Sequence, residues 1–275
     1  MIAMQRMMNP GKILLMVMLM LPMMASAQHD DFGTILSVGA EKKIDKKLSV
    51  GAEVEMRTRD DVKKIDRWSG GLEASYKLMK GIKVSAGYTF LYDNMEKTSY
   101  YDEDDKLVTR GIVSAGDLKR KAEYWGIRHR FQVSLSGSYK IRNLELSLRE
   151  RWQYTYRPEK TVDHRFIYFD DEEEEIIPGG MSDGLPHTYS SKAKNVLRSR
   201  LQAEYKISNF PATPFANVEL FNAWALEKVR YTAGADWKIT KKHIVSLFYR
   251  YQHVNSDDDD EPNRHIIGLS YQWKF

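Results

Sequence analysis

Trp125-Gly126-Ile127-Arg128-His129-Arg130-Phe131-Gln132-Val133-Ser134-Leu135-Ser136-Gly137-Ser138-Tyr139-Lys140-Ile141 has a period of two from end to end. Trp125, Ile127, His129, Phe131, Val133, Leu135, Gly137, Tyr139 and Ile141 share one face; Arg128, Arg130, Gln132, Ser134, Ser136 and Lys140 lie on the other. Only an extended chain puts i and i+2 on the same side. At about 3.3 Å per residue this strand is roughly 56 Å long, far beyond the five or six residues usual in a soluble sheet.

The same alternation recurs on both sides of this stretch. Leu48, Val50, Ala52, Val54 and Met56 alternate with Ser49, Gly51, Glu53, Glu55 and Arg57. Trp68 to Tyr76 and Ile82 to Phe90 repeat it, as do runs near 32–41, 144–156, 195–207, 214–222, 228–239, 244–254 and 264–275. About eleven strands result. Short connections at Met79-Lys80-Gly81, Arg142-Asn143, 208–213 and 240–242 are interspersed with long or polar ones at 59–66, 94–121, 157–194 and 255–263. That asymmetry predicts an all-β, antiparallel, up-and-down transmembrane barrel of about 10–12 strands, with tight turns at the periplasmic end and long loops outside. An odd count conflicts with the even numbers of bacterial barrels. It suggests that 32–41 is not a full strand, or that another is hidden within 94–121.

The outward aromatics fall into two bands. Trp68, Phe90, Tyr92, Trp125, Trp152, Tyr154, Tyr156, Tyr249 and Tyr251 lie toward the loop end; Tyr76, Tyr139, Tyr205, Trp237, Tyr271 and Trp273 lie toward the turn end. Two girdles mark the two membrane–water interfaces. The membrane-girdle residues are therefore Trp68, Trp125, Trp152, Trp237, Trp273 and the terminal Phe275. Glu150 is the exception, a carboxylate on the expected lipid face.

Composition narrows the function classes. The chain has 275 residues, 42% hydrophobic and 29% charged, with a formal net charge of +4. Cysteine is absent, which removes disulfides, thiol catalysis, Cys-ligated zinc and an acylated N-terminal Cys. Both charge signs are abundant, so no nucleic-acid partner is expected. Nine of the 13 Met fall in the first 24 residues. There Arg6 and Lys12 precede an apolar run from Ile13 to Leu21, Pro22 and the triplet Ala25-Ser26-Ala27. This predicts a cleaved signal peptide over 1–27, leaving 28–275 as one outer-membrane barrel domain.

Several stretches look familiar as wording. They include Asp31-Phe32-Gly33-Thr34, Ser37-Val38-Gly39-Ala40-Glu41-Lys42-Lys43, Leu48-Ser49-Val50-Gly51-Ala52-Glu53 and Arg57-Thr58-Arg59-Asp60. Ser85-Ala86-Gly87-Tyr88-Thr89-Phe90-Leu91-Tyr92-Asp93, Arg128-His129-Arg130 and Arg149 to Trp152 belong with them. Together they resemble the twenty-four-ninety domain-of-unknown-function family of bacterial outer-membrane proteins, over nearly the whole chain after the leader. The resemblance implies a barrel and assigns no activity. The alternating aromatics Tyr271, Trp273 and Phe275 likewise resemble the terminal assembly signal of such barrels, which makes the barrel-assembly machinery an expected partner alongside outer-membrane lipid and lipopolysaccharide.

The expected pore lining carries the chemistry. Alternation turns Arg57, Arg67, Arg128, Arg130, Arg149, Arg151, Arg198, Arg200, Arg230 and Arg250 inward, in the loop-end half of the lumen. Glu53, Glu73, Glu204 and Asp236 sit nearer the middle or turn end. Two explanations compete: a salt-bridge network filling a narrow barrel, or a basic constriction that favours small anionic solutes in a porin-like pore. The acidic tracts 102–105, 170–175 and 257–261 are ordinary solvated loops in one view. In the other they are cation ligands, or 170–175 is a lid over the Arg-rich mouth. None has the spacing of a calcium loop, and no metal or cofactor is expected.

An enzyme is the weaker expectation. His129 and His253 face outward while Ser134 and Ser246 face inward, and neither G-x-S-x-G nor H-E-x-x-H occurs. The sequence therefore points first to a narrow pore or transport-related barrel. A lipid- or lipopolysaccharide-modifying barrel enzyme and a structural or adhesive surface protein are the alternatives.

Overall fold

The computed structural model describes residues 30–170, 175–255 and 262–275. The expected leader at 1–27, most of the acidic tract 170–175 and the tract 257–261 lie outside the described residues.

Eleven long strands form the wall: β1 (Asp31–Lys43), β2 (Leu48–Arg59), β3 (Lys64–Met79), β4 (Ile82–Tyr100), β5 (Leu118–Ile141) and β6 (Leu144–Arg157), then β11 (Lys192–Tyr205), β12 (Ala212–Asn222), β13 (Leu226–Lys238), β14 (His243–Val254) and β15 (Arg264–Lys274). Each pairs antiparallel with its neighbour in sequence, including β6 with β11, and the sheet closes on itself between β1 and β15. Connections of two to six residues at one end (44–47, 80–81, 142–143, 206–211 and 239–242) define the turn end. The long segments lie at the other. At the two-residue turn 80–81, Gly81 has φ +83°, and a Cβ there would meet the Ser138 carbonyl at 2.7 Å.

The parity conflict is resolved by the seam. An odd number of alternating strands leaves the first and last pointing the same way, so β1 and β15 pair in parallel, from Asp31↔Arg264 to Glu41↔Lys274. The expectation that 32–41 was incomplete, or that a strand was missing, is thus corrected: β1 is a full wall strand and none is lacking. Side chains tie this join. Ser37 Oγ donates to Ser270 Oγ at 2.9 Å, and Arg264 Nε pairs with Asp31 Oδ2 at 2.7 Å. A parallel ladder is slightly weaker per residue than an antiparallel one, which gives these ties a purpose.

Burial is inverted relative to a water-soluble fold. Leu36, Val38, Val54, Leu72, Leu135, Leu148, Leu201 and Leu269 are exposed on the outside, while Asp93, Ser134, Gln153, Glu219, Thr232 and Gln252 are buried within. Contiguous apolar surface on this scale is unfavourable in water and favourable in hydrocarbon. Closure leaves no strand edge unpaired, which a bilayer requires. The molecule is an outer-membrane-type β-barrel.

The long segments are less loop-like than expected. β4 and β5 stay paired to Ser99↔Arg120, well above the strands around them. Above them sit α1 (Lys106–Thr109), β7 (Lys160–Val162), β8 (Phe166–Asp170), β9 (Glu175–Ser182) and β10 (His187–Tyr189). β8 adds to the raised edge of β5 through Arg120↔Ile167 and Lys121↔Phe166. Two small apolar clusters hold this cap: Tyr101, Val113 and Phe169, and Ala122, Tyr124 and Val162. The segment 59–66, read as a long connection, shortens to a turn at 60–63, where Asp60, Asp61 and Val62 all have positive φ.

Candidate functional site: an arginine-lined lumen

Inside the wall is a cavity of about 1480 Å³. Its lining runs from Asp60 and Tyr100 at the loop end to Glu41, Lys83 and Gln272 near the turn end. The two sides differ. Ser37, Gly39, Ser49, Gly51, Ser69, Gly71 and Ser75 on β1, β2 and β3 present small side chains, interleaved on β2 and β3 with Glu53, Glu55, Arg57, Arg67 and Glu73. Opposite them, β5, β6 and β11 to β14 contribute most of the arginines. Where small residues leave space on one wall, long guanidinium side chains from the other can cross it.

All ten inward arginines of the sequence analysis line this cavity, as do Glu53 and Glu73. Glu204 and Asp236 do not. They lie on the turn-end side of β11 and β13, where Glu204 accepts from Gln202 Nε2 and Asp236 from Ser246 Oγ, each at 2.6 Å. Phe248 stands between Asp236 and the cavity. Its ring lies over Gly268 of the neighbouring strand, where no side chain larger than hydrogen fits without displacing it.

Three carboxylates not singled out in the sequence take most of the ionic load. Asp93 pairs with Arg67 and with Arg128 at 2.6 Å. Glu219 pairs with Arg149 at 2.5 Å and Arg198 at 2.9 Å, and Glu55 with Arg57 at 2.5 Å. Arg151 crosses toward β3. Its Nη2 reaches Glu73 at 3.2 Å while Nε donates to Ser134 Oγ at 2.8 Å and Nη1 to Gln132 Oε1 at 3.0 Å. Charged groups held this way lose solvation but regain directed hydrogen bonds, so each carboxylate that serves two guanidiniums stabilises the narrow interior.

Four arginines are left over. Arg130, Arg200, Arg230 and Arg250 have no carboxylate within ion-pair distance among the described residues. Arg130 Nε donates to Thr155 Oγ1 at 3.5 Å, Arg250 Nε to Thr232 Oγ1 at 3.2 Å and Arg230 Nε to Gln252 Oε1 at 2.6 Å, all neutral acceptors. Phe221 lies between Arg198 and Arg230, whose guanidinium carbons are 4.5 and 4.4 Å from the ring centroid. Stacking on an aromatic face orients the planar fork and leaves its edge free for an anion.

The expected girdle residues lie on the outer surface. Trp68, Trp152, Trp237, Trp273 and Phe275 are exposed, and Trp125 stacks on Tyr92 at 4.7 Å. Trp224, at the tip of the short β12–β13 connection, is fully exposed and was not among the expected girdle residues. The histidines pair with outward tyrosines: Tyr88 Oη with His129 Nδ1 at 2.7 Å, Tyr249 Oη with His265 Nδ1 at 2.6 Å and Tyr271 Oη with His243 Nδ1 at 2.6 Å. His253 meets Asn263. Ser134 and Ser246 engage Arg151 and Asp236 on the opposite face, so the wall separates them from His129 and His253.

The acidic tract 102–105 has a structural role at Asp105. It caps α1 by accepting from the Leu107 amide at 3.0 Å and from Lys119 Nζ at 2.7 Å. The Lys119 ammonium, then the Leu107 amide, hold its carboxyl below the usual range. Among the described residues no group of three or more His, Cys, Asp or Glu could hold a metal ion.

Comparisons with known proteins place the chain. The β domain of the Bordetella autotransporter BrkA is 13% identical with a TM-score of 0.46, covering 82% of this chain and 78% of that one. The translocator domain of the autotransporter NalP from Neisseria meningitidis is 11% identical, TM-score 0.44, with coverages of 78% and 71%. The outer-membrane protease OmpT of Escherichia coli is 11% identical, TM-score 0.41, with coverages of 74% and 73%. No curated protein matches the chain. The family model described as "Protein of unknown function (DUF2490)" matches residues 32–263, from the second residue of β1 to the threshold of β15, and the chain belongs to that family.

Proposed function

We propose that this barrel resides in the outer membrane, turn end toward the periplasm, and is a narrow pore selective for small anions. The observation that carries it is the set of four inward arginines without carboxylate partners, on the wall of a cavity whose lining reaches toward both ends of the barrel. Rings of guanidinium favour anion entry because the local potential raises anion concentration and repels cations. Arg57, Arg67, Arg128, Arg149, Arg151 and Arg198 brace the wall in ion pairs, which leaves Arg130, Arg200, Arg230 and Arg250 to set the sign of the field. The signal expected at 1–27, the Tyr271–Phe275 pattern and the exposed apolar belt support delivery through the periplasm and insertion by the barrel-assembly machinery into lipid and lipopolysaccharide.

Planar-bilayer recording of the refolded protein under a KCl gradient tests this. The reversal potential should have the sign of chloride permeation. Arg200→Gln with Arg230→Gln should move it toward cation permeation. Absence of unitary conductance, or a cation-selective wild type, would refute the pore.

A further inference from the structure

We infer that the lumen contains a binding site for a small polyvalent oxyanion, a phosphate or phosphomonoester, centred on Arg200 and Arg230. The inference deepens the anion-pore reading and names the anion class, but it concerns equilibrium occupancy and can be tested without transport.

Strand register brings the residues together. Arg149, Arg200, Glu219 and Arg230 occupy one row across β6, β11, β12 and β13, each the direct partner of the next. Adjacent strands are about 4.8 Å apart, so the four side chains leave the wall side by side. Arg198 rises from the next inward position on β11 and pairs with the same Glu219. Four guanidiniums therefore surround one carboxylate. Glu219 uses Oε1 for Arg149 and Oε2 for Arg198, leaving Arg200 and Arg230 beside it without an ion pair of their own.

Orphaned donors mark where a ligand would bind. The Nε atoms of Arg149, Arg198 and Arg200 are buried with no hydrogen-bond acceptor. Buried charged donors left unmade are among the costlier defects of a folded protein, and an oxyanion supplies the missing acceptors. Arg230 is already oriented by the Phe221 ring and by Gln252. Several planar forks converging from one wall suit a ligand with three or more acceptor oxygens and more than one negative charge. A single halide offers neither. The cavity of about 1480 Å³ leaves space for a substituent on the phosphate.

Thermal unfolding of the refolded barrel in detergent at constant ionic strength tests the site, with inorganic phosphate, glycerol phosphate or chloride as the varied anion. Phosphate and glycerol phosphate should raise Tm saturably; chloride should not. Arg200→Gln and Arg230→Gln should each weaken the apparent phosphate affinity by about tenfold or more, the loss of a charge-assisted bond. Neither residue makes an ion pair, so both variants should also be at least as stable as wild type without phosphate, because like-charge repulsion is relieved. Arg230→Lys, which keeps the charge and loses the fork, should lie between. Equal Tm in phosphate and chloride, or variants that lose stability equally in both, would show packing arginines and overturn the site. Phosphate binding without conductance would instead overturn the pore and leave the site standing.

Discussion

Glu150 projects from β6 between Leu148 and Trp152, mid-strand on the face that meets lipid. No bulge diverts it: Glu150 stays in register with Leu135 on one side and Ser199 on the other. Its one compensation is the Ser199 hydroxyl, which donates to Oε2 at 2.6 Å. A carboxyl in hydrocarbon is unfavourable by an amount smaller than the about 2–4 kcal/mol of a midplane Arg or Lys. Glu150→Leu should therefore stabilise the inserted barrel by roughly 1–2 kcal/mol in urea unfolding from vesicles. Stability unchanged or lowered would mean that the Glu150–Ser199 contact contributes more than the desolvation takes away. At this scale alternation assigns inside and outside for the wall residues it covers, yet it does not mark Asp93, Glu219 and Glu55 as the main ion-pair carboxylates. Asp93 lies beyond Phe90, where the apolar signal on β4 fades, and nothing local to Glu219 or Glu55 distinguishes a bridging acid from a solvated one. The Ser/Gly wall was visible in Ser37-x-Gly39 and Ser49-x-Gly51, but its meaning depends on which strands face the arginines across the lumen.

The cap shows why elements above the membrane were harder to read. Residues 94–100 and 118–124 continue β4 and β5, yet Asn94, Glu96 and Thr98 alternate with Met95, Lys97 and Ser99 and give no apolar period. Only Met95, Ala122 and Tyr124 of this ribbon pack against the cap, too few to set an apolar period. Its strand character comes from continuing the hydrogen-bond ladder below, which sequence periodicity does not record. The same holds for the three-residue strands β7 and β10. Their connection is fixed by Asp183, which accepts from the amides of Arg165 at 2.9 Å and Leu185 at 3.3 Å and contacts His187 Nε2 at 2.6 Å. Desolvation pushes this carboxyl up, but the Arg165 amide, the His187 imidazole, the Leu185 amide and the Arg165 guanidinium outweigh it and hold it well below the usual carboxylate range. A depressed folded-state pKa stabilises the cap above the unfolded value near 3.9, and that contribution fades as pH falls below it. Hydrogen exchange at 165–169 and 182–187 should therefore accelerate as pH drops through about 4 and below, after correction for intrinsic rates. Asp183→Asn should show the faster exchange already at neutral pH, with the barrel strands unaffected in both cases.

At the level of the whole molecule, parity sets topology. Strand direction alternates through the antiparallel wall pairs from β1 to β15, so β1 and β15 run the same way and meet in a parallel seam. The two ends of the wall therefore differ from those of an even-stranded barrel. Phe275 is at the turn end, where its amide donates to the Glu41 carbonyl at 2.9 Å. Asp31 is at the loop end, its amide bonded to the Asn263 carbonyl at 2.9 Å and its carboxylate to Arg264. An even barrel would bring both ends of the wall to the periplasmic side. With the loop end outward, as proposed, Asp31 lies on the cell-surface side instead. An epitope inserted between the expected cleavage point and Asp30 should be bound by antibody on intact cells. The same epitope after Phe275 should be bound only once the outer membrane is permeabilised. If the leading epitope is also hidden until permeabilisation, while whole-cell protease still cuts the cap, then β1 does not close the barrel in parallel and the wall has an even number of strands. Arg264→Ala adds a check that does not depend on orientation. It removes the ion pairs from β15 to Asp31 and Asp66 at the loop end of the seam, so β1 should become the first strand to lose exchange protection on heating. Equal loss in all strands would assign the seam no special weakness.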